Sequence, residues 1–213
     1  MSKIKFFVFF LLFNLSFVTA FSQVILLAGA PGSGKGTQSA VIQSYFSQKN
    51  KKIPAYSVGE LLRQAKEQGK LSEQDKRLMD EGGILPAENV INIIKDTLDC
   101  RAGCILDGYP RNIESIEPLK KLLKEQGIDI DLIFFFKINK DVALARILGR
   151  GEGRADDNER SFNRRWEEFQ NKTIPTLNAL QKQYAQKFVE INAEQSKAEV
   201  TNMVKKALGN LKE

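Results

Sequence analysis

Lys35 stands inside Gly29-Ala30-Pro31-Gly32-Ser33-Gly34-Lys35-Gly36-Thr37, a run that follows the apolar stretch Val24 to Ala28 and precedes an amphipathic segment. Glycines at 29, 32, 34 and 36 let the backbone curl so that successive N–H groups face inward, and a helix start adds its positive dipole end. Main chain at Gly32, Ser33, Gly34, Gly36 and Thr37, with the mobile cation of Lys35, is therefore suited to a polyphosphate. The run departs from the general G-x-x-x-x-G-K-[ST] form because Gly36 follows the lysine and the hydroxyl comes one residue later at Thr37. A direct hydroxyl ligand to magnesium is less secure for that reason.

Two further runs carry charge beside glycine. Asp107-Gly108-Tyr109-Pro110-Arg111 follows the apolar Cys104-Ile105-Leu106, so a carboxylate ends a strand and an arginine projects from the turn after it. In a doubly wound sheet that carboxylate sits beside the phosphate loop, where it can hold a water on a metal ion, and the arginine can meet an acceptor phosphate. The third run is Ser57-Val58-Gly59-Glu60-Leu61-Leu62-Arg63.

These three runs closely resemble the GxPGxGKGT, DG[FY]PR and STGDLLR segments of the adenylate kinase family of nucleoside monophosphate kinases, and the likeness extends from about Val24 to the C-terminal helix. The resemblance implies a P-loop kinase fold: an α/β, three-layer domain on a five-stranded parallel sheet. It carries a small helical flap for the monophosphate (about 57–86) and a short lid (about 149–158). It also implies ATP-Mg and a nucleoside monophosphate as substrates. Asp107 would hold Mg2+ through water. Val58, Arg63, Gly108, Arg111 and Ser115 would contact the monophosphate.

Arg146 and Arg150 are four residues apart on one predicted helix face, and Arg154 and Arg165 are eleven apart, close to three helical turns. Spacing alone describes surface arginines. The resemblance implies more: Arg150, Arg154 and Arg165 embrace the transferring phosphoryl group, Arg146 packs on the ATP base, and Asp156 and Asp157 orient the arginines. Only Gly151-Glu152-Gly153 separates Arg150 from Arg154, and this lid contains no cysteine, so a zinc-bearing lid is ruled out.

The expected reaction is in-line transfer of the ATP γ-phosphoryl group to a monophosphate, giving two diphosphates, with no protein nucleophile. Lys35, Arg111, Arg150, Arg154 and Arg165 would carry it. AMP is the expected acceptor. The positions of Val58 and Ser115 are usually threonine and glutamine in adenylate kinases, so edge-pairing to the base is weakened here and UMP/CMP kinase activity is the alternative. A nucleotide-binding module without transfer activity would keep the glycine loop and lose the arginines. A GTPase switch would need an N/TKxD-type segment, and Asn139-Lys140-Asp141 lacks the spacing.

The elements that position these groups follow from periodicity. Strands are expected at Val24 to Ala28, Ile53 to Tyr56, Cys104 to Leu106, Leu132 to Ile138 and Phe188 to Ile191. Leu132 to Phe136 is apolar at every position, as in a strand covered on both faces. Helices are expected at Thr37–Gln48, Gly59–Gln68, Ser72–Glu81, Pro86–Leu98 and Ile113–Gln126. Four more should span Lys140–Leu148, Asp157–Asn171, Pro175–Ala185 and Lys197–Leu208, with Asp156 or Asp157 capping the one that follows.

Composition sets the outer limits. The 213 residues are 42% hydrophobic and 27% charged, as in an ordinary folded chain. Histidine is absent, which excludes His-dependent triads, His-ligated metals and a histidine pH switch. The net charge of +6 suits small anions as well as it suits nucleic acid, and no Lys/Arg block favours the latter, so no nucleic-acid partner is expected.

Met1 to Ser22 has a basic start at Lys3 and Lys5, an apolar run and small residues at Thr19, Ala20 and Ser22. Seven of the 14 phenylalanines fall between Phe6 and Phe21. This has the form of a secretory signal peptide cleaved after Ala20 or Ser22, leaving the kinase domain (23–213) as an exported monomer without a membrane span. A noncleaved anchor, or a misassigned upstream start on a cytosolic protein, are the other readings. Cys100 and Cys104 are expected to be free, buried structural thiols, although redox pairing is open to an exported chain.

Overall fold

The computed structural model describes residues 22–149 and 158–211. Five parallel strands, β1 (Val24–Gly29), β2 (Ala55–Ser57), β3 (Cys104–Asp107), β4 (Ile130–Lys137) and β5 (Phe188–Asn192), form one sheet in the order β2-β3-β1-β4-β5. Successive side chains of a strand point to opposite faces, and the sequence fills both faces with apolar groups. Val24, Leu26 and Ala28 of β1 join one core with Leu106 and Ile133, while Ile25 and Leu27 join another with Ile105, Phe134 and Phe136. Each such Val, Leu, Ile or Phe side chain, fully buried, stabilises the fold by roughly 1.5–3 kcal/mol. The all-apolar run in β4 is covered on both sides, as its sequence predicts.

Helices α1 (Lys35–Gln48) and α9 (Lys197–Gly209) cover the second face through Ile42, Phe46, Val200, Val204 and Leu208. The other face is covered by α4 (Ala87–Ile94), α5 (Ile116–Glu125) and α8 (Ile174–Gln183) through Val90, Ile94, Leu119, Leu123, Leu177 and Leu180. Three layers result. Between β2 and β3 the chain makes α2 (Val58–Glu67), α3 (Glu73–Asp80) and α4; α2 and α3 fall within the stretch expected as a flap (about 57–86), and α4 follows it. After β4 come α6 (Lys140–Leu148) and α7 (Glu159–Glu168), and a π-helical turn, Phe169–Thr173, joins α7 to α8 without a break.

Two expectations are corrected. The helix after residue 157 is capped by neither aspartate: Asn158 occupies the N-cap, and its side-chain oxygen accepts from Ser161 N at 2.9 Å. An Asx side chain one residue later reaches the N3 amide as an N-cap must.

The second correction concerns the cysteines. Cys100 and Cys104 are joined by a disulfide, with Cα atoms 4.9 Å apart. Burial of Cys104 in β3 had favoured free thiols, but the segment between them folds back. Gly103 takes φ +94°, and its N–H donates to Cys100 O at 2.8 Å. Both sulfurs then lie inside the same core. The turn is further held by Gln126, which accepts from Cys100 N at 2.7 Å and donates to Leu98 O at 2.8 Å, and by Ser22, whose hydroxyl donates to Cys100 O at 2.8 Å.

The segment Met1 to Phe21 and the lid residues Arg150, Arg154, Asp156 and Asp157 lie outside the described residues. Among the described residues no helix is long and apolar enough to cross a membrane.

Candidate active site

The phosphate loop joins β1 to α1. Gly34 is the N-cap of α1 at φ +84°, and no side chain caps the helix, so its first N–H groups are available to an anion. Gly32, also at positive φ, packs so closely on α6 that an added Cβ would stand 2.5 Å from Ala143 O. Lys35 Nζ donates back to Gly29 O (2.9 Å), Ala30 O (3.0 Å) and Ser33 Oγ (3.3 Å), closing the loop around its own cation.

Sheet register delivers the second element. Asp107, the last residue of β3, pairs with Leu27 of β1, and Gly108 N donates to Leu27 O at 2.9 Å. This places the carboxylate one strand away from the start of the loop. Gly108 has φ +78°, and Arg111 Nε donates to its carbonyl at 2.7 Å, so the backbone orients the guanidinium. A Cβ at Gly108 would lie 2.9 Å from Arg111 Nη2, and one at Gly59 would lie 3.5 Å from it. Gly108 makes room for that side chain, whereas at Gly59 the contact would be an ordinary one.

These groups open on one cavity of about 480 Å³ between the loop, the flap and α7. Of the residues predicted for the site, Gly32, Gly34, Lys35, Gly36, Val58, Arg63, Asp107, Gly108, Arg111, Ser115 and Arg165 line it. Ser33 is buried beneath the loop, and Thr37 is exposed one residue beyond it. Arg146 lies on the exposed face of α6 and is not among the lining residues.

The cations are mutually felt. Arg111 protrudes into the cavity, yet the surrounding protein lowers its pKa from the ordinary guanidinium range. Asp107 opposes that shift, and Arg165 and Arg63 add to it. Such like-charge crowding is disfavoured unless an anion joins it. Arg63 is turned to Glu60, with Nη2 2.6 Å from Oε2.

Four participants were not anticipated from the sequence. Glu60 is paired with Arg63. Gly82, at the flap loop, comes so close to α7 that its Cβ would lie 3.0 Å from Arg165 Cγ. Asn112 accepts a hydrogen bond from the Ser115 hydroxyl. Thr173 Oγ1, in the π-helical turn, donates to Arg111 O at 3.0 Å. Insertion of a π turn at a functional site is a recurring device, but here no sequence signal announced it.

A metal fits this donor set in one way. Asp107 is the carboxylate beside the phosphate loop; Glu60 and Glu168 line the same cavity, but among the described residues no three Cys, Asp or Glu side chains gather as a metal cage. That suits an ion carried in by phosphates rather than one held by protein alone.

A family model described as adenylate kinase matches residues 27–185. The adenylate kinase of Leptospira biflexa serovar Patoc (strain Patoc 1 / Ames) is 34% identical over 190 residues, spanning 86% of this chain and 98% of that protein. The adenylate kinase of Mycobacterium tuberculosis (strain ATCC 25618 / H37Rv) is 38% identical over 157 residues, covering 72% of this chain and 83% of that one. That of Mycobacterium ulcerans (strain Agy99) is 36% identical over the same length. With the phosphate loop, the strand-end carboxylate and the arginines converging on one cavity, this chain belongs to the adenylate kinase family.

Proposed function

We propose that the protein transfers the γ-phosphoryl group of ATP to AMP, reversibly, giving two ADP. The observation that carries this reading is the meeting of the Lys35 loop with Arg63, Arg111 and Arg165 around a single cavity. Two polyanions need such a surround, and their phosphate oxygens supply the nucleophile themselves. Loop amides and Lys35 hold the donor phosphates, Arg63 and Arg111 hold the acceptor phosphate, and Arg165 lies where charge spreads during transfer. Gly108 keeps the Arg111 head from being displaced. Mg2+, carried on ATP, would be held through water by Asp107 and would neutralise charge on the phosphates when bound. Arg146, Arg150, Arg154, Asp156 and Asp157 take the roles given by the family likeness: base packing, phosphoryl embrace and arginine orientation. The unit of action is a monomer.

The direct test is conversion of ATP-Mg and AMP by purified Lys35→Met protein against the parent. A loss of at least 100-fold is expected. Equal rates would overturn the assignment.

We infer in addition that the chain works outside the cytosol, with the N-terminal signal-like segment removed by cleavage after Ala20 or Ser22. The signal-like composition supports this, as does the Cys100–Cys104 disulfide, since such bonds persist in oxidising compartments and are rare where thiols are kept reduced. Fractionation of the producing cells with N-terminal sequencing decides it: a shortened chain in the exported fraction is expected, and an intact N-terminus on cytosolic protein would overturn it.

A further inference from the structure

The phosphate loop, Asp107 and the cavity occupy the end of the sheet where its strands finish. The opposite end, where the strands begin, collects the last turns of the helices that cross back over a parallel sheet. Gln126, just past α5, bonds Cys100 N and Leu98 O ahead of β3. Tyr184, the C-cap of α8, donates to Asp129 Oδ1 at 3.0 Å ahead of β4. In α1, Gln43 Nε2 donates to Ile53 O at 3.2 Å on the way into β2. Helix α9 runs parallel to α1, because Gln38 and Thr201, both early in their helices, bond each other at 3.3 Å. Both helices therefore finish at this end.

Those last turns are basic. Lys52 follows α1, Lys121 and Lys124 lie in the second half of α5, Lys182 in the last turn of α8, and Lys205 and Lys206 near the end of α9. All six are exposed, and none forms an ion pair among the described residues. The carboxylates here are largely engaged: Asp99 with Arg101, Asp129 with Tyr184 and Lys187, and Asp131 with Val24 N. Exposed Glu125 and Asp96 offset part of the excess.

The chain also enters the fold at this end. The Ser22 hydroxyl donates to Cys100 O at 2.8 Å, and β1 then starts at Val24 in the middle of the sheet. The residues ahead of it, Met1 to Phe21, carry the apolar, signal-like run. A chain led to a bilayer by those residues meets it basic end first.

We propose that this end of the sheet is a docking surface for an anionic lipid bilayer, held by charge and without a span. Each lysine close to such a surface raises binding several-fold, and the attraction fades within a Debye length, about 10 Å at 0.1 M salt. The 8 residues of β4, at about 3.3 Å each, set the cavity roughly 25 Å from the docked end. The cavity faces away from the lipid and stays open to nucleotides. Docking of this kind needs neither transfer activity nor export.

Lipid titrations of the purified full chain test it, with vesicles of phosphatidylcholine alone and of phosphatidylcholine mixed with phosphatidylglycerol. Partition onto the anionic vesicles should be stronger on the order of tenfold or more, and about 1 M salt, with a Debye length of about 3 Å, should abolish the difference. Lys205→Gln together with Lys206→Gln should lower anionic partition roughly 20-fold. Lys140→Gln together with Lys197→Gln, exposed lysines at helix starts beside the cavity end, should leave it within about twofold, since they lie beyond screening distance. Comparing variants as ratios cancels whatever Met1 to Phe21 contribute, and thermal melts matching the parent's show that both pairs are folded. Equal partition onto the two vesicle types, no loss in the Lys205 and Lys206 pair, or equal losses in the two pairs would each overturn the proposal. So would displacement of bound protein by duplex DNA at equal phosphate concentration, which would give the patch to nucleic acid.

Discussion

Replacing Arg111 by methionine separates chemistry from folding. The guanidinium is held by its own turn, through Nε to Gly108 O, which leaves the Nη nitrogens to the cavity. Losing one preorganised donor to a developing phosphoryl charge costs about 3 kcal/mol, by analogy with lost oxyanion donors. At about 1.4 kcal/mol per decade, this is roughly 150-fold in kcat/KM. The free protein should not suffer in parallel. Desolvation by the surrounding protein and the nearby Arg165 and Arg63 disfavour the Arg111 charge, while Asp107 and the hydrogen bond to Gly108 O favour it, so removing it relieves repulsion at the loss of one turn contact. The thermal midpoint should hold or rise slightly. Arg111→Lys keeps a point charge without the planar fork and should fall between the two. A coupled assay varying AMP at saturating ATP, run beside thermal melts, measures both quantities. A loss under tenfold with an unchanged midpoint would show that Arg111 does not meet the reacting phosphates. A large fall in the midpoint would show that its role is structural.

Gly36→Ala offers an opposite signature: the position is helical and an added Cβ meets nothing within 4 Å. The variant should melt higher, by up to about 1 kcal/mol of helix propensity, while ATP affinity falls because the methyl group fills phosphate space. Reducing the Cys100–Cys104 disulfide should lower stability by about 2 kcal/mol, the closure entropy of so short a loop. Denaturant melts with and without reductant check this, and transfer rates of the folded protein should be unchanged, since the bond lies at the start of β3 and Asp107 at its end. Asp131 accepts from Val24 N at 2.9 Å, and its pKa is raised by burial against that hydrogen bond and Lys187. A raised carboxylate pKa means that the folded state holds the proton longer, so stability declines as pH rises through the folded pKa. Asp131→Asn should therefore gain on the parent above that pH and not below it, as read from pH-dependent melts.

Most of the fold was legible because its signals are local. Glycine, lysine and the preceding β1 residues announce the phosphate loop, and a run such as Leu132 to Phe136 declares a doubly covered strand. Strand β4 nevertheless begins at Ile130, because the polar Asp131 earns its place by accepting from β1 across a register shift at Val24 and Ile25. Helix α5 starts at Ile116 after a 3-10 turn rather than at Ile113, and α7 runs into α8 through the π turn. Short-range periodicity carries no trace of these. The disulfide was missed for a related reason: the turn depends on Gly103 and on the Gln126 clasp, a partner 26 residues away. At the site, the charged residues stood out individually, while the Ser115–Asn112 bond and the Gly82 approach to Arg165 exist only once the helices are packed.

The hydroxyl of Thr173 has a mechanical consequence. Arg165 and the backbone of Arg111 come from separate crossovers, yet α7, the π turn and α8 form one stiff rod, and Thr173 fastens Arg111 to it. A tilt of the rod carries both clamp points along together. The span between them, against which a phosphoryl group must be gauged in flight, is thus set by a single strut and need not be rebuilt each time the enzyme turns over.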